Sequence, residues 1–323
     1  MIRAAIVGLG RWGRNLVNAV QGKSPYLQFT HVVVRQPDAA RDFARQHGLE
    51  VSTNFDRMLA DKSVQAVVLT TPHSLHTKQI IAAAKSGKAV FCEKPLALTR
   101  ADAEKTIAAC KRAGVALGLG YNKRFWPSMI ELKRLVDSGE LGTILHIEGH
   151  FSNETTGLYY TGWRGEEAES PAGGLTATGV HVLDSLVSLA GPARRVYARL
   201  VRRESSADPM DALSVFLEFA NGGSGVLCGV RSTPQFWRVH VFGRNGSAEA
   251  LEDAELVLRK PGVAPKRLTL GHVDALRLEL EAFAQTVETG VAYAVTPRQM
   301  LDGVAATEAI VKSIERGRSI EIK

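Results

Sequence analysis

The sequence predicts a two-domain α/β protein. Residues 1–120 read as a doubly wound parallel sheet, and 121–323 as an α+β domain with an open, mostly antiparallel sheet. Three observations carry this. Short apolar runs alternate with helical patterns through the first third of the chain, the rhythm of strands covered on both faces by crossover helices. The first run opens into Gly8-Leu9-Gly10-Arg11-Trp12-Gly13 and then a helix. After Tyr121 strand-like stretches follow one another instead.

In chain order, Ile2–Val7 is continuously apolar, as a buried strand should be. The turn behind it has the dinucleotide-binding (Rossmann) spacing. Gly8 permits the tight turn, Gly10 lets a pyrophosphate approach the backbone, and Gly13 lets helix and strand pack closely. The helix carrying Leu16, Val17 and Val20 then offers its free N–H groups, with Arg11 and Trp12 beside them. Phe29–Val34 is the second strand. An acid about 20 residues past the glycines would take the ribose hydroxyls of NAD. Here Arg35 stands at the strand end and Asp38 comes only after Pro37, so NADP(H) is expected in preference, with NAD(H) second.

Asp38–His47 reads as a helix, Val64–Thr70 as a strand, Leu75–Ser86 as a helix closed by Gly87, and Ala89–Cys92 as a strand. Thr99 with Asp102 resembles a capping box for a helix to Ala113, ended by Gly114, and Val115–Leu119 is the last strand of the domain. Thr70, Thr71, Pro72, His73 and His76 follow a strand's carboxyl end and are expected to edge the cofactor cleft; His76 could equally cap its helix. Glu93-Lys94-Pro95 puts an amine where a parallel sheet opens its ligand crevice. Such a lysine can hold a substrate oxygen as hydride leaves carbon. It can also be a surface lysine beside a structural turn.

In the second half, Pro127–Ser138 is amphipathic, and Ile144–Phe151, Arg195–Val201, Leu213–Ala220, Gly225–Arg231, Trp237–Phe242 and Glu255–Leu258 are strand-like. Asn221-Gly222-Gly223 marks a hairpin, and Val263–Leu270 reads as turn or edge strand. Helices are expected at Leu175–Leu189, Asp274–Thr289 and Pro297–Arg316. An open sheet face needs a cover, and a second copy of the chain is the economical one, giving a homodimer or homotetramer. His181 and Asp184 lie three apart on one helix face behind Gly173-Gly174. A histidine there can exchange a hydroxyl proton; it can also be a buried histidine bonded to backbone.

Composition narrows the partners. The chain has 323 residues, 45% hydrophobic, and no apolar run approaches the ~18 residues of a membrane span. The start runs straight into a strand, so no signal peptide is expected. Cys92, Cys110 and Cys228 have neither ligand spacing nor even pairing, which suits reduced thiols in the cytoplasm, and no metal is expected. The net charge of +7 is scattered, with its tightest cluster at Arg194, Arg195, Arg199, Arg202 and Arg203 on a strand. That is a solvated face or an attraction for an anionic cofactor, not a nucleic-acid surface.

Together the glycine turn, Thr71-Pro72 with His76, Glu93-Lys94-Pro95, Tyr121-Asn122-Lys123-Arg124-Phe125, Ser138-Gly139-Glu140-Leu141-Gly142, Trp163-Arg164 and His181-x-x-Asp184 resemble the glucose–fructose oxidoreductase/inositol dehydrogenase/rhizopine-catabolism (Gfo/Idh/MocA) family. The resemblance implies a nicotinamide cofactor on the first domain and a small sugar, polyol or sugar acid against the second. It gives Lys94 to the reacting oxygen and His181 to proton transfer, and it implies a cis Lys94–Pro95 bond and pairing through the open sheet. Tyr121, Asn122, Arg124, Trp163, Arg164 and Asp184 are then substrate-side candidates, Arg124 and Arg164 able to grip a carboxylate. One position departs. Ala177 stands where inositol dehydrogenase-like members carry an aspartate four residues before the histidine. His181 is then held less firmly, and Lys94, Asp184, Glu169, Tyr159 or Tyr160 would have to compensate. The departure also leaves open a cofactor-binding sensor that has lost catalysis.

Overall fold

The computed structural model describes residues 1–153, 162–202, 211–231 and 233–322. They form two compact units, Met1–Asn122 with Asp274–Met300, and Lys123–Val273 with Leu301–Lys323. Against an expected division at 120/121, the first unit runs on to Asn122 and takes in Asp274–Met300 as well. A helix placed with the second half by its position in the chain belongs to the first unit.

In the first unit, strands β1 (Ile2–Val7), β2 (Leu27–Val33), β3 (Glu50–Ser52), β4 (Ala66–Leu69), β5 (Ala89–Glu93) and β6 (Leu117–Gly120) form one sheet in the order β3-β2-β1-β4-β5-β6. Every pairing in it is parallel. This is the doubly wound order whose direction reverses between β1 and β4, where such sheets open their ligand crevice. The crossovers are helices α1 (Arg11–Val20), α2 (Arg41–His47), α3 (Phe55–Ala60), α4 (His73–Lys85) and α5 (Arg100–Ala113). Asp38–Ala40 is a separate 3₁₀ turn before α2. The Thr99 hydroxyl accepts from the Asp102 N–H to start α5, and Gly114 closes it in the left-handed conformation, as the pattern implied.

The central strands are sealed on both faces: Ala4, Ile6, Val67, Val68, Val90 and Phe91 have no exposed surface. Part of the cover comes from far along the chain. Helix α8 (Ala275–Thr289) brings Phe283 edge-on to Phe91, ring centroids 5.6 Å apart. A Cβ on Gly118 would stand 2.8 Å from the Phe283 ring, so the glycine makes room for it. The Tyr293 hydroxyl donates to Leu119 O at 3.2 Å beside it.

In the second unit, β7 (Ile144–Ser152), β8 (Ala193–Arg202), β9 (Asp211–Phe219), β10 (Ser224–Val230), β11 (Phe236–Gly243), β12 (Gly246–Leu251), β13 (Glu255–Arg259), β14 (Lys266–Thr269) and β15 (Ile320–Glu321) form a nine-stranded sheet. Its order is β14-β13-β12-β11-β7-β10-β9-β8-β15. The β7–β10 pair is parallel and the others antiparallel. Helix α6 (Pro127–Asp137) packs on β12 and β13, and α7 (Val180–Ala190) on β7. A Cβ on Gly149 would meet Val182 at 2.3 Å, which is how closely α7 lies on the strand. From α9 (Pro297–Arg316), Ser313 Oγ accepts the Ala198 N–H of β8.

The opposite face alternates in register and carries Tyr197, Phe216, Val201 and Phe236 exposed. The arginines of β8 lie largely in ion pairs, Arg194 and Arg195 with Glu218, Arg195 also with Glu321, and Arg202 with Glu167. Arg203 lies outside the described residues. No helix among the described residues is long and apolar enough to cross a membrane.

Candidate active site

The glycine turn is built from β1 outward. Gly8 takes φ +93°, and a Cβ there would sit 3.0 Å from Thr70 O. Thr70 Oγ1 donates to Gly8 O at 2.6 Å, so the end of β4 braces the end of β1. A Cβ on Gly13 would stand 2.3 Å from Gly8 O; only hydrogen lets α1 start this close to the turn. Gly10 differs. Apart from its two chain neighbours, nothing lies within 4 Å of the place its Cβ would occupy, and as N-cap of α1 it supplies no side-chain hydrogen bond. Its missing side chain thus leaves open space before the first N–H groups of α1, which carry the positive end of the helix dipole. These residues fit a pyrophosphate.

Arg11, the first helical residue, is exposed and Trp12 half-buried. Arg35 is exposed two residues past β2. Arg14 pins the following loop by donating to Ala39 O at 2.9 Å.

Next along the sheet, β5 ends on Glu93, a buried carboxylate. Gly120 of β6 makes room for it, since a Cβ there would come 2.8 Å from Glu93 Oε1. The half-buried Lys94 follows; its N–H donates to Glu93 Oε2 at 3.3 Å, and the Lys94–Pro95 bond is cis. His76 is fully buried in the first turn of α4, with Nδ1 2.8 Å from Pro95 O and Nε2 3.0 Å from Thr71 O. It therefore joins two strand ends instead of capping its helix, which Pro72 begins without a side-chain cap. Thr71 Oγ1 donates to Gln79 Oε1 at 2.5 Å. His73 opens α4, its ring 5.7 Å from that of His76. Tyr121 is buried just past β6 and Asn122 half-buried beside it.

In the second unit the expected single helix at 175–189 is two pieces. Leu175–Gly179 is a π-helical turn and α7 follows. Extra-residue turns of this kind are frequent at functional sites. Ala177 sits in the turn, and His181, second residue of α7, is buried with its ring 6.5 Å from Phe151. One turn on, Asp184 accepts both fork donors of Arg124, Nε at 2.8 Å and Nη2 at 2.7 Å. Burial raises the Asp184 carboxyl above its ordinary range while the guanidinium pulls it back. Lys123 lays its ammonium over Trp126 at 3.4 Å and faces Phe151 at 5.4 Å, the same ring that abuts His181.

Residues 2–121 match the oxidoreductase family with an NAD-binding Rossmann fold, and residues 129–249 match the GFO/IDH/MocA C-terminal domain. The chain belongs to the Gfo/Idh/MocA oxidoreductase family. It is 28% identical to the NAD(+)-dependent scyllo-inositol 2-dehydrogenase of Bacillus subtilis over 99% of this chain and 96% of that one. The solved aldose–aldose oxidoreductase of Caulobacter crescentus, complexed with glycerol, is 26% identical with a TM-score of 0.87 across 99% of both chains. Levoglucosan dehydrogenase with NADH and L-sorbose shares the fold, with a TM-score of 0.89 at 20% identity across 100% of this chain and 99% of that one.

Within this Gfo/Idh/MocA chain the substrate-side candidates are also engaged with one another. Arg124 and Asp184 are both substrate-side candidates in the sequence, the arginine able to grip a carboxylate and the aspartate also one possible stand-in for the acid missing at 177. The structure pairs them with each other, as a buried carboxylate requires a cation. Trp163 and Arg164 form their own stacked pair, the guanidinium 4.2 Å from the ring centroid, on a 3₁₀ turn at Gly162–Gly165. Glu169 is buried. Tyr159 and Tyr160 lie outside the described residues.

Sequence reasoning passed over Lys123, whose aromatic setting comes from residues up to 114 positions away, Trp237 among them. It also passed over Asp211 and Arg231, a buried bidentate pair under the glycines that lead into the π turn. A Cβ on Gly173 would meet Asp211 Oδ2. No local pattern signals either arrangement.

Proposed function

We propose that the protein is an NAD(P)-dependent oxidoreductase that moves hydride between the nicotinamide and a carbinol or carbonyl carbon of a small sugar, polyol or sugar-acid-like substrate. The observation that carries this is the open cradle at Gly10 on the same strand-end row as Glu93-Lys94-Pro95, in a chain of this family. The nicotinamide, when bound, supplies the hydride donor or acceptor. Lys94 holds the reacting oxygen and stabilises alkoxide character on it. His181 takes the hydroxyl proton on oxidation and returns it on reduction. Position 177 offers no carboxylate, and the His181 ring stands 6.5 Å from that of Phe151 on a helix packed against β7.

Arg35, exposed past β2, supports a preference for NADP(H) through charge on a 2′-phosphate, with NAD(H) as the second cofactor. The apolar side chains on the open sheet face support a homodimer or homotetramer formed through it, and the free cysteines suit the cytoplasm. Ala177 favours one other reading, a cofactor-binding sensor without turnover.

Mixing the protein with NADP⁺ or NAD⁺ and a panel of polyols, sugars and sugar acids, followed at the nicotinamide absorbance, separates the two. Turnover that falls at least a hundredfold in both Lys94→Ala and His181→Ala is expected. Tight cofactor binding with no turnover anywhere in the panel overturns the enzyme.

A further inference from the structure

The geometry points to His76 as a doubly protonated clamp that holds the Lys94 turn against the end of β4. Both ring nitrogens face backbone carbonyl oxygens, Nδ1 at 2.8 Å from Pro95 O and Nε2 at 3.0 Å from Thr71 O. A carbonyl oxygen only accepts, and a neutral imidazole has one N–H and one lone pair. In the neutral ring, whichever nitrogen lacked the proton would set its lone pair against an oxygen lone pair. The ring has no exposed surface, so water cannot relieve that clash. The imidazolium satisfies both carbonyls at once with charge-assisted bonds.

Burial by itself disfavours the charged ring, and the two carbonyl bonds are what offset that cost. Among the described residues, α4 carries His73, Lys78 and Lys85 besides the ring, the end of β5 carries Cys92, Glu93 and Lys94, and α5 carries charged residues on its outer face and Cys110 on its buried one. Burial pushes the Cys110 thiol up to about 11 and Cys92 also well above its ordinary value, which keeps both neutral. Of the carboxylates on these elements, Glu93 is the buried one.

The clamp matters for position. Thr71 lies two residues past β4 and Pro95 is bonded to Lys94, so one ring ties neighbouring strand ends where the amine departs. A ring that loses a proton releases one of the two ends. His76 is thus a positioning residue. Its kinetic consequence rests on the function proposed above; its charge state does not.

The test starts on the wild-type protein with ¹⁵N-labelled histidine. The His76 ring is assigned through-space to Thr71 and Pro95 protons and recorded at pH 8, where a free imidazole, with pKa of about 6.5, is neutral. Both ring nitrogens in the protonated range support the clamp. One unprotonated nitrogen at that pH overturns it. On raising the pH further, kcat should fall with the same midpoint as loss of the second ring proton, while cofactor Kd changes less than threefold. A kcat that passes through that midpoint unchanged overturns the positioning role. His76→Gln should lower kcat at least tenfold with cofactor Kd within threefold of wild type. Absence of turnover on every substrate defeats the enzyme reading and leaves the nitrogen shifts to decide the clamp.

Discussion

Two glycines of one motif should fail in opposite ways when each gains a methyl group. At Gly13 the new Cβ would lie 2.3 Å from Gly8 O, a backbone atom held in place by Thr70 Oγ1. Neither can yield without moving α1 or the turn, so Gly13→Ala should cost about 1–3 kcal/mol as an overpacked contact. At Gly10 the added carbon meets nothing within 4 Å beyond its chain neighbours, and φ −68°, ψ −175° suits alanine. Gly10→Ala should leave stability unchanged or raise it by about 0.4–1 kcal/mol through the unfolded chain. The space it fills is the one assigned to pyrophosphate, so NADPH affinity should fall at least tenfold, about 1.4 kcal/mol. Denaturant unfolding of the apo proteins reads the first quantity, and NADPH fluorescence titration the second. A Gly10→Ala protein that binds NADPH as tightly as wild type would refute the cradle. Equal stability of all three proteins would refute the packing account of Gly13.

Arg35→Asp should weaken NADP binding and improve NAD binding; equal affinities of the parent for the two cofactors would remove the argument from Arg35. Arg124→Met should destabilise by about 3–5 kcal/mol because it strands a buried carboxylate, whereas Arg124→Met with Asp184→Asn should recover much of the loss. The native Asp184 carboxyl binds its proton more tightly than the unfolded one, so its contribution to stability falls as pH rises from the ordinary carboxylate value through the raised native one. In Arg124→Met that proton is held more tightly still, and the deficit should shrink on acidification; a pH-independent deficit would contradict this. His240, on the open sheet face, is held down to about 4 by burial, with Glu249 near it. The unfolded chain takes up this proton first, so stability should drop by roughly 3 kcal/mol as pH falls from about 6.5 to 4. His240→Phe should flatten that part of the urea-midpoint profile, and an unchanged profile would show that other groups cause it.

Legibility tracked how local each cause was. Strands β1, β4 and β5 were readable because burial on both faces demands unbroken apolar runs. The hairpin between β9 and β10 announced itself in Asn221-Gly222-Gly223. Strands β3 and β15, three and two residues long, exist only because a neighbour supplies hydrogen bonds, and nothing in their composition marks them. β12 was passed over for a similar reason: Gly246-Ser247-Ala248-Glu249 has little strand propensity, and pairing with β11 on one side and β13 on the other imposes the conformation. Helix α8 was recognised as a helix, yet its membership of the first unit depends on Phe283 finding Gly118 and Phe91.

The candidate site divides along the same line. By itself the order of residues determined the glycine turn, the amine at the end of β5 and the imidazole on α7, because each requirement is met within about a dozen neighbouring positions. Only the tertiary structure decided that Arg124 spends its fork on Asp184 sixty positions away, that His76 spans two strand ends, and that Thr70 props the turn after β1. Those are contacts between polar groups that leave water together. Their partners are chosen by which charges and carbonyls the packed strands bring within 3 Å, and a linear pattern carries no record of that choice.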